Sequence, residues 1–161
     1  MSDNNDRVSI VLFSGDLDKA ISAFTIAAGA AATGMQVDMF FTFWGISVLR
    51  KKYAKTQGKS FVEKIFGWML PKGADNLALS KMHMAGIGTM MMKNVMKQKR
   101  VASLPELIEM AKQLGVRLHA CEMSMGVMGI RREELLDAVK DVVGVATYID
   151  DASRAKITLF I

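Results

Sequence analysis

A chain of 161 residues is long enough for one domain that buries about two thirds of the surface its unfolded form exposes. Its single cysteine rules out an internal disulfide and any zinc site built from several cysteines, a usage that fits a reducing cytoplasm. The formal charge of +5 would suit nucleic acid, but the basic residues gather at Arg50, Lys51, Lys52, Lys55, Lys59 and Lys64 and again at Lys93, Lys97, Lys99 and Arg100 without stacking aromatics or a helix-turn-helix, so no nucleic acid is expected, and the patches read as a solvated face or a docking surface for an acidic protein.

Met1 to Asp6 is polar and acidic, unlike a secretory leader, and a cytoplasmic protein is expected. Val8 to Phe13 is nearly all apolar, the pattern of a strand covered on both faces of a parallel sheet. Ser14-Gly15-Asp16 breaks it, and lacks the glycine and lysine spacing of a phosphate loop. Asp16 or Asp18 is predicted to cap a helix running to about Thr33, with Gly34 ending it in a left-handed conformation. Val37 to Thr42 is a second strand, followed by Phe43-Trp44-Gly45 and a short helix through Val48 and Leu49. Ser60-Phe-Val-Glu63 has the capping-box pattern, and Phe61, Val62, Ile65, Phe66 and Met69 recur at helical spacing, so residues 54–79 are predicted to hold an amphipathic helical insertion.

Lys81 to Arg100 reads as a helix whose apolar face includes Met84, Ile87, Met91 and Val95, broadened by Met92 and Met96, with room for a short strand before or after it. Ser103-Leu-Pro-Glu106 is a second capping box, with Pro105 in the first turn, opening a helix that closes at Gly115. Strand Val116 to Ala120 then delivers Cys121 into a methionine- and glycine-rich turn, ahead of a helix beginning near Arg131. Arg132 to Val143 is predicted as an amphipathic helix burying Leu135, Leu136, Val139 and Val143, Val145 to Ala155 as another, and Ile157 to Ile161 as the last strand. Repeated strand-loop-helix units argue for α/β, in a single domain over 1–161.

Hydrophobic residues make up 51% of the chain and the mean hydropathy is +0.22. Neither Ala20 to Gly34 nor Met35 to Leu49, which carries Asp38, supplies the roughly 18 uninterrupted apolar residues of a membrane span. Both are predicted to be core, with weak peripheral association with a membrane left open.

Cys121 is the candidate for chemistry. A thiol at the carboxyl end of a parallel strand, next to the free N–H groups of a helix, is where α/β folds present a nucleophile, and Arg131 and Arg132 are expected to supply positive charge. His119, two residues earlier, shares its side of the strand, and serves either to accept the thiol proton or, protonated, to hold a thiolate, unless it is a core histidine. Ser124 could donate a hydrogen bond to a sulfur anion or simply shape the turn. Fourteen methionines, with Met82, Met84 and Met90 to Met92 near His83, admit copper(I), although helical spacing favours core packing and no metal is expected.

Met39-Phe-Phe-Thr-Phe-Trp-Gly-Ile46, Lys81-Met-His-Met-Ala-Gly-Ile-Gly-Thr-Met90, Ala120-Cys-Glu-Met-Ser-Met125 with Met128-Gly-Ile130, and Thr158-Leu-Phe-Ile161 together resemble the DsrE/DsrF-like family, and within it the peroxiredoxin-like DsrE-type sulfurtransferase subgroup. The resemblance covers nearly the whole chain. It implies a three-layer α/β/α, flavodoxin-like domain with a mostly parallel sheet of about five strands, usually a homo-oligomer. It also implies a sulfur carrier or sulfurtransferase without a separate cofactor, holding sulfane sulfur as a persulfide on Cys121 and exchanging it with rhodanese-type and TusA-type proteins. The competing expectation is a non-catalytic oligomeric scaffold, or a membrane-peripheral protein, with an inert cysteine.

Overall fold

The computed structural model describes residues 6–53 and 60–161. The apolar runs form β1 (Arg7–Leu12), β2 (Gln36–Phe41), β3 (Arg117–Cys121), β4 (Val139–Val143) and β5 (Ile157–Phe160). They make one wholly parallel sheet in the order β4-β3-β2-β1-β5. The expected layered α/β architecture is present. On one face α1 (Leu17–Ala32) and α4 (Leu104–Gln113) lie against each other and the sheet, burying Val8, Ile10, Leu12, Met39, Phe41, Leu118 and Ala120. Ala20, Ala23 and Ala27 of α1 have no exposed surface, small side chains that let the backbones approach closely.

Strand alternation turns Ser9, Asp38, Phe40 and His119 to the opposite face. There α6 (Val145–Ala152) stacks Tyr148 on Phe40, ring centroids 4.3 Å apart, while the Tyr148 hydroxyl accepts a hydrogen bond from Ser9 at 2.9 Å. α1 begins after Asp16 and ends before Gly34, which is left-handed as expected (φ 88°). Asp16 does not cap it through its side chain; its carboxylate is taken by the Ser14 hydroxyl and Lys19. The helix predicted after Phe43 is a 3-10 helix, Phe43–Leu49.

The 54–79 stretch contains α2 (Phe61–Met69) with its capping box formed: the Ser60 hydroxyl accepts from the Glu63 N–H, and the Glu63 carboxylate accepts from the Ser60 N–H at 2.6 Å. Residues 54–59 of that insertion, with Lys55 and Lys59, lie outside the described residues. Arg50, itself buried, donates to the carbonyls of Gly67 and Leu70 at the end of α2 and pairs with buried Glu134 at 3.2 Å. α2 nevertheless leaves Phe61 77% and Trp68 83% exposed.

Two expectations are overturned. The helix predicted from Lys81 starts only at Ile87 as α3 (Ile87–Gln98), because Met82, Met84 and Ala85 adopt left-handed backbone that interrupts it. Its supposed inner face is exposed at Met84, Ile87, Met91 and Val95; the helix is seated through Gly88 and Thr89, whose hydroxyl accepts from the Leu79 N–H. Arg132 to Val143, predicted as a helix, is a 3-10 turn at Arg132–Glu134 followed by β4. Backbone pairing decided this: Lys51 N–H bonds to the Glu134 carbonyl, Leu136 N–H to the Leu49 carbonyl, and the β-branched Val139, Val142 and Val143 suit an edge strand that keeps Lys140 and Asp141 outward. No helix among the described residues is long and apolar enough to cross a membrane.

Candidate functional site

β3 runs between β2 and β4, placing Ala120 opposite Phe41 and Cys121 opposite Val143. Leu118 and Ala120 join the main core, whereas Arg117, His119 and Cys121 point to the other face. Cys121 ends its strand at the carboxyl edge of the sheet, where parallel α/β sheets carry their sites. The stretch after it, expected as a turn, is a helix from the first residue: Cys121 is the N-cap of α5 (Glu122–Met128). Gly129 closes α5 in the left-handed region (φ 62°), and a Cβ there would collide with the Glu63 side chain of α2, so glycine lets the two helices meet.

This helix also moves the expected positive charge. Arg131 and Arg132 follow the carboxyl end of α5, the opposite end of that helix from Cys121. Arg131 is exposed, and Arg132 donates to the Val139 carbonyl at 2.7 Å.

The sulfur is not at an open rim either: Cys121 is 0% exposed. The Phe43–Leu49 helix and α5 pack around the end of β3, and α2 lies outside α5. Gly45 makes that cover fit, since any Cβ there would run into the Leu12 carbonyl. Ser124, one turn into α5 and equally sealed, shares a 2.9 Å hydrogen bond with the Thr42 hydroxyl from the end of β2.

His119 is brought into a cluster that the sequence reading missed. Its Nε2 lies 3.1 Å from Asp38 Oδ1 on β2, and its Nδ1 3.9 Å from Asp141 Oδ2 on β4. Arg117 donates to the second Asp38 oxygen at 2.5 Å. Burial works to raise the Asp38 carboxyl, but the hydrogen bonds from His119 and Arg117 outweigh it and hold it below the ordinary carboxylate value, so Asp38 is an anion. The available signal was a lone acid in the apolar run Val37-Asp-Met-Phe-Phe41, because a carboxylate inside a sheet must find donors.

Among the described residues no group of three or more His, Cys, Asp and Glu is arranged to hold a metal ion. The methionines divide: Met125 and Met128 are buried beside the site, while Met82, Met84, Met90, Met91 and Met92 are exposed around α3, against the core packing expected for them.

Residues 4–160 match the model of a family described as DsrE/DsrF/DrsH-like. Protein YrkE of Bacillus subtilis (strain 168) is 51% identical over 161 residues, all of both chains. The sulfur carrier protein DsrE2 of Allochromatium vinosum is 34% identical over 162 residues, covering 96% of this chain and 98% of that one. Among solved structures, the ychN protein from E. coli superposes with a TM-score of 0.58 at 9% identity, covering 97% of this chain and 98% of its own. Protein MTH1491 from Methanobacterium thermoautotrophicum does so with a TM-score of 0.55 at 14% identity, covering 97% and 99%. At such identities these two speak for the fold alone.

Proposed function

The chain belongs to the DsrE/DsrF/DrsH-like family, and from that premise we propose that it is a sulfur carrier or sulfurtransferase that holds sulfane sulfur as a persulfide on Cys121. The observation that carries this reading is the position of the chain's only cysteine, at the carboxyl end of β3 and the start of α5. The Cys121 thiolate attacks the outer sulfur of a donor persulfide; the donor's S–S bond breaks and the donor leaves as a thiolate, with Cys121 now Cys-S-SH. An acceptor thiolate then attacks that outer sulfur and releases Cys121. Both steps exchange one S–S bond for another, so the cycle needs no net oxidant and no second cysteine.

A sealed sulfur transfers nothing until the chain opens. In this reading the Phe43–Leu49 helix, α5 and α2 are the cover that shields a persulfide from water, and a partner displaces it. The exposed apolar side chains of α2 and α3 are the docking surface for rhodanese-type or TusA-type partners, or for further copies in a homo-oligomer. Lys64, Lys93 and Lys97 steer an acidic partner toward them. Ser124 holds the first turn of α5 to β2 through Thr42 and becomes a donor to the sulfur anion when the cover moves.

The test is the intact mass after incubation with a persulfide donor. Wild type gains about 32 Da, one sulfur, and Cys121→Ala gains nothing. A wild-type chain whose mass stays constant rejects the proposal.

A second reading draws on the burial of Cys121 and the exposed Phe61 and Trp68: a scaffold or membrane-peripheral protein with an inert thiol. It requires vesicle binding that is lost on Phe61→Ser with Trp68→Ser, in a protein that takes up no sulfur.

A further inference from the structure

His119 stands two residues before Cys121 on the same face of β3, about 6.6 Å away at about 3.3 Å per strand residue. Its ring is set between carboxylates from both neighbouring strands, Asp38 at Nε2 and Asp141 at Nδ1. Arg117 clamps Asp38 from the far side. Nδ1 is buried and has no hydrogen-bond partner among the described residues. A lone pair facing a carboxylate is repelled, whereas a proton on that nitrogen turns the same approach into an ion pair, so the pocket is shaped to receive one.

The other charged or titratable groups around this face include Arg7 of β1, paired with Gln36 two residues before Ser9 and Asp38 and with its Nε buried. Tyr148 of α6 is held by Ser9, Asp150 and Asp151 of α6 pair with Arg154, and Glu122 of α5 is exposed. Resting on the sulfur-transfer reading, we propose that His119 takes up the proton released when the Cys121 thiol becomes the attacking thiolate, and that Asp38 and Asp141 are positioning residues that hold the ring for it. The S–H bond breaks, an N–H bond forms at Nδ1, and the electron pair stays on sulfur to attack the donor's outer sulfur. The departing donor thiolate recovers the proton from the imidazolium, so none is gained or lost over the step. The strand rise sets the two backbone positions about 6.6 Å apart, and the proton crosses between their side chains in the opened site, directly or over a single water.

The experiment is the pH dependence of Cys121 alkylation by iodoacetamide in the full chain, alongside sulfur loading and a thermal midpoint for each variant. His119→Gln and Asp38→Asn are expected to move the rising limb upward by about one pH unit, about tenfold slower alkylation at neutral pH, and Asp38→Glu to restore it. Superimposable limbs for folded wild type and variants overturn the proposal. Should the variants fail to fold, the imidazole resonances of His119 in wild type and Cys121→Ala answer the same question: a changed titration supports the coupling and an identical one overturns it. Sulfur loading with unshifted limbs sinks this inference and leaves the function standing; shifted limbs without loading sink the function alone and keep the His119 assignment.

Discussion

The two faces of the sheet have been built to different rules. Beneath α1 and α4 the strands present Val8, Ile10, Leu12, Met39, Phe41, Leu118 and Ala120, all nearly without solvent contact. On the other face the same strands present Ser9, Asp38, Arg117, His119 and Asp141, with Tyr148 of α6 over Phe40 and much of Phe160 left open. Close apolar packing is the main source of stability, whereas charges inside a sheet cost desolvation and need partners to offset it. The sulfur sits on the polar face, and that is why the chemistry is sought there.

Substitutions that probe each face should separate stability from function. Phe41→Ala, on the apolar face, is expected to lower unfolding free energy by about 3–5 kcal/mol in urea melts, since the ring leaves a cavity between sheet and α1. A loss under about 1 kcal/mol would mean that this face is not the main source of stability.

Asp38→Asn should cost less, about 1–3 kcal/mol, by weakening the bonds from His119 and Arg117. Its pH dependence is sharper than its size. The folded chain holds the Asp38 carboxyl below the usual 3.8, so the unfolded chain binds its proton first as pH falls. The stabilisation is therefore complete above the unfolded value and is lost as pH drops through the folded one. Wild type should lose stability toward acid more steeply than Asp38→Asn; parallel curves would contradict the paired carboxylate.

Phe160→Ser, on the open part of the polar face, should change stability by about 0.5 kcal/mol or less. The ring is 72% exposed and stacks on Phe13 at the edge of the protein, 5.9 Å between centroids. A larger loss would show that this surface is covered in solution.

Elements whose order is set locally were legible in sequence. β1, α1, β2, α4, α6 and β5 stand where apolar runs, capping boxes and glycine stops put them. Elements decided by distant pairing were not. Leu135, Leu136 and Val139 obey helical spacing, yet bonds to Leu49 and Lys51 pull that segment out straight. Left-handed residues before α3 left no compositional mark, because Met82, Met84 and Ala85 are ordinary helix formers. At the site, Cys121 and His119 could be placed on one face by counting alone. The Asp38 and Asp141 partners lie 81 and 22 positions away along the chain and become neighbours only through sheet order, while the cover over the sulfur depends on the close approach of Gly45 in the Phe43–Leu49 helix to the Leu12 carbonyl, which no local pattern announces.

The most direct measurement of the central claim is cold cyanolysis of the donor-treated, desalted protein, which converts a protein-bound sulfane sulfur to thiocyanate. The account predicts close to one thiocyanate per chain from wild type, none from Cys121→Ala, and none from wild type first discharged with an acceptor thiol. Thiocyanate in equal amounts from wild type and Cys121→Ala, or its absence from both, would contradict it.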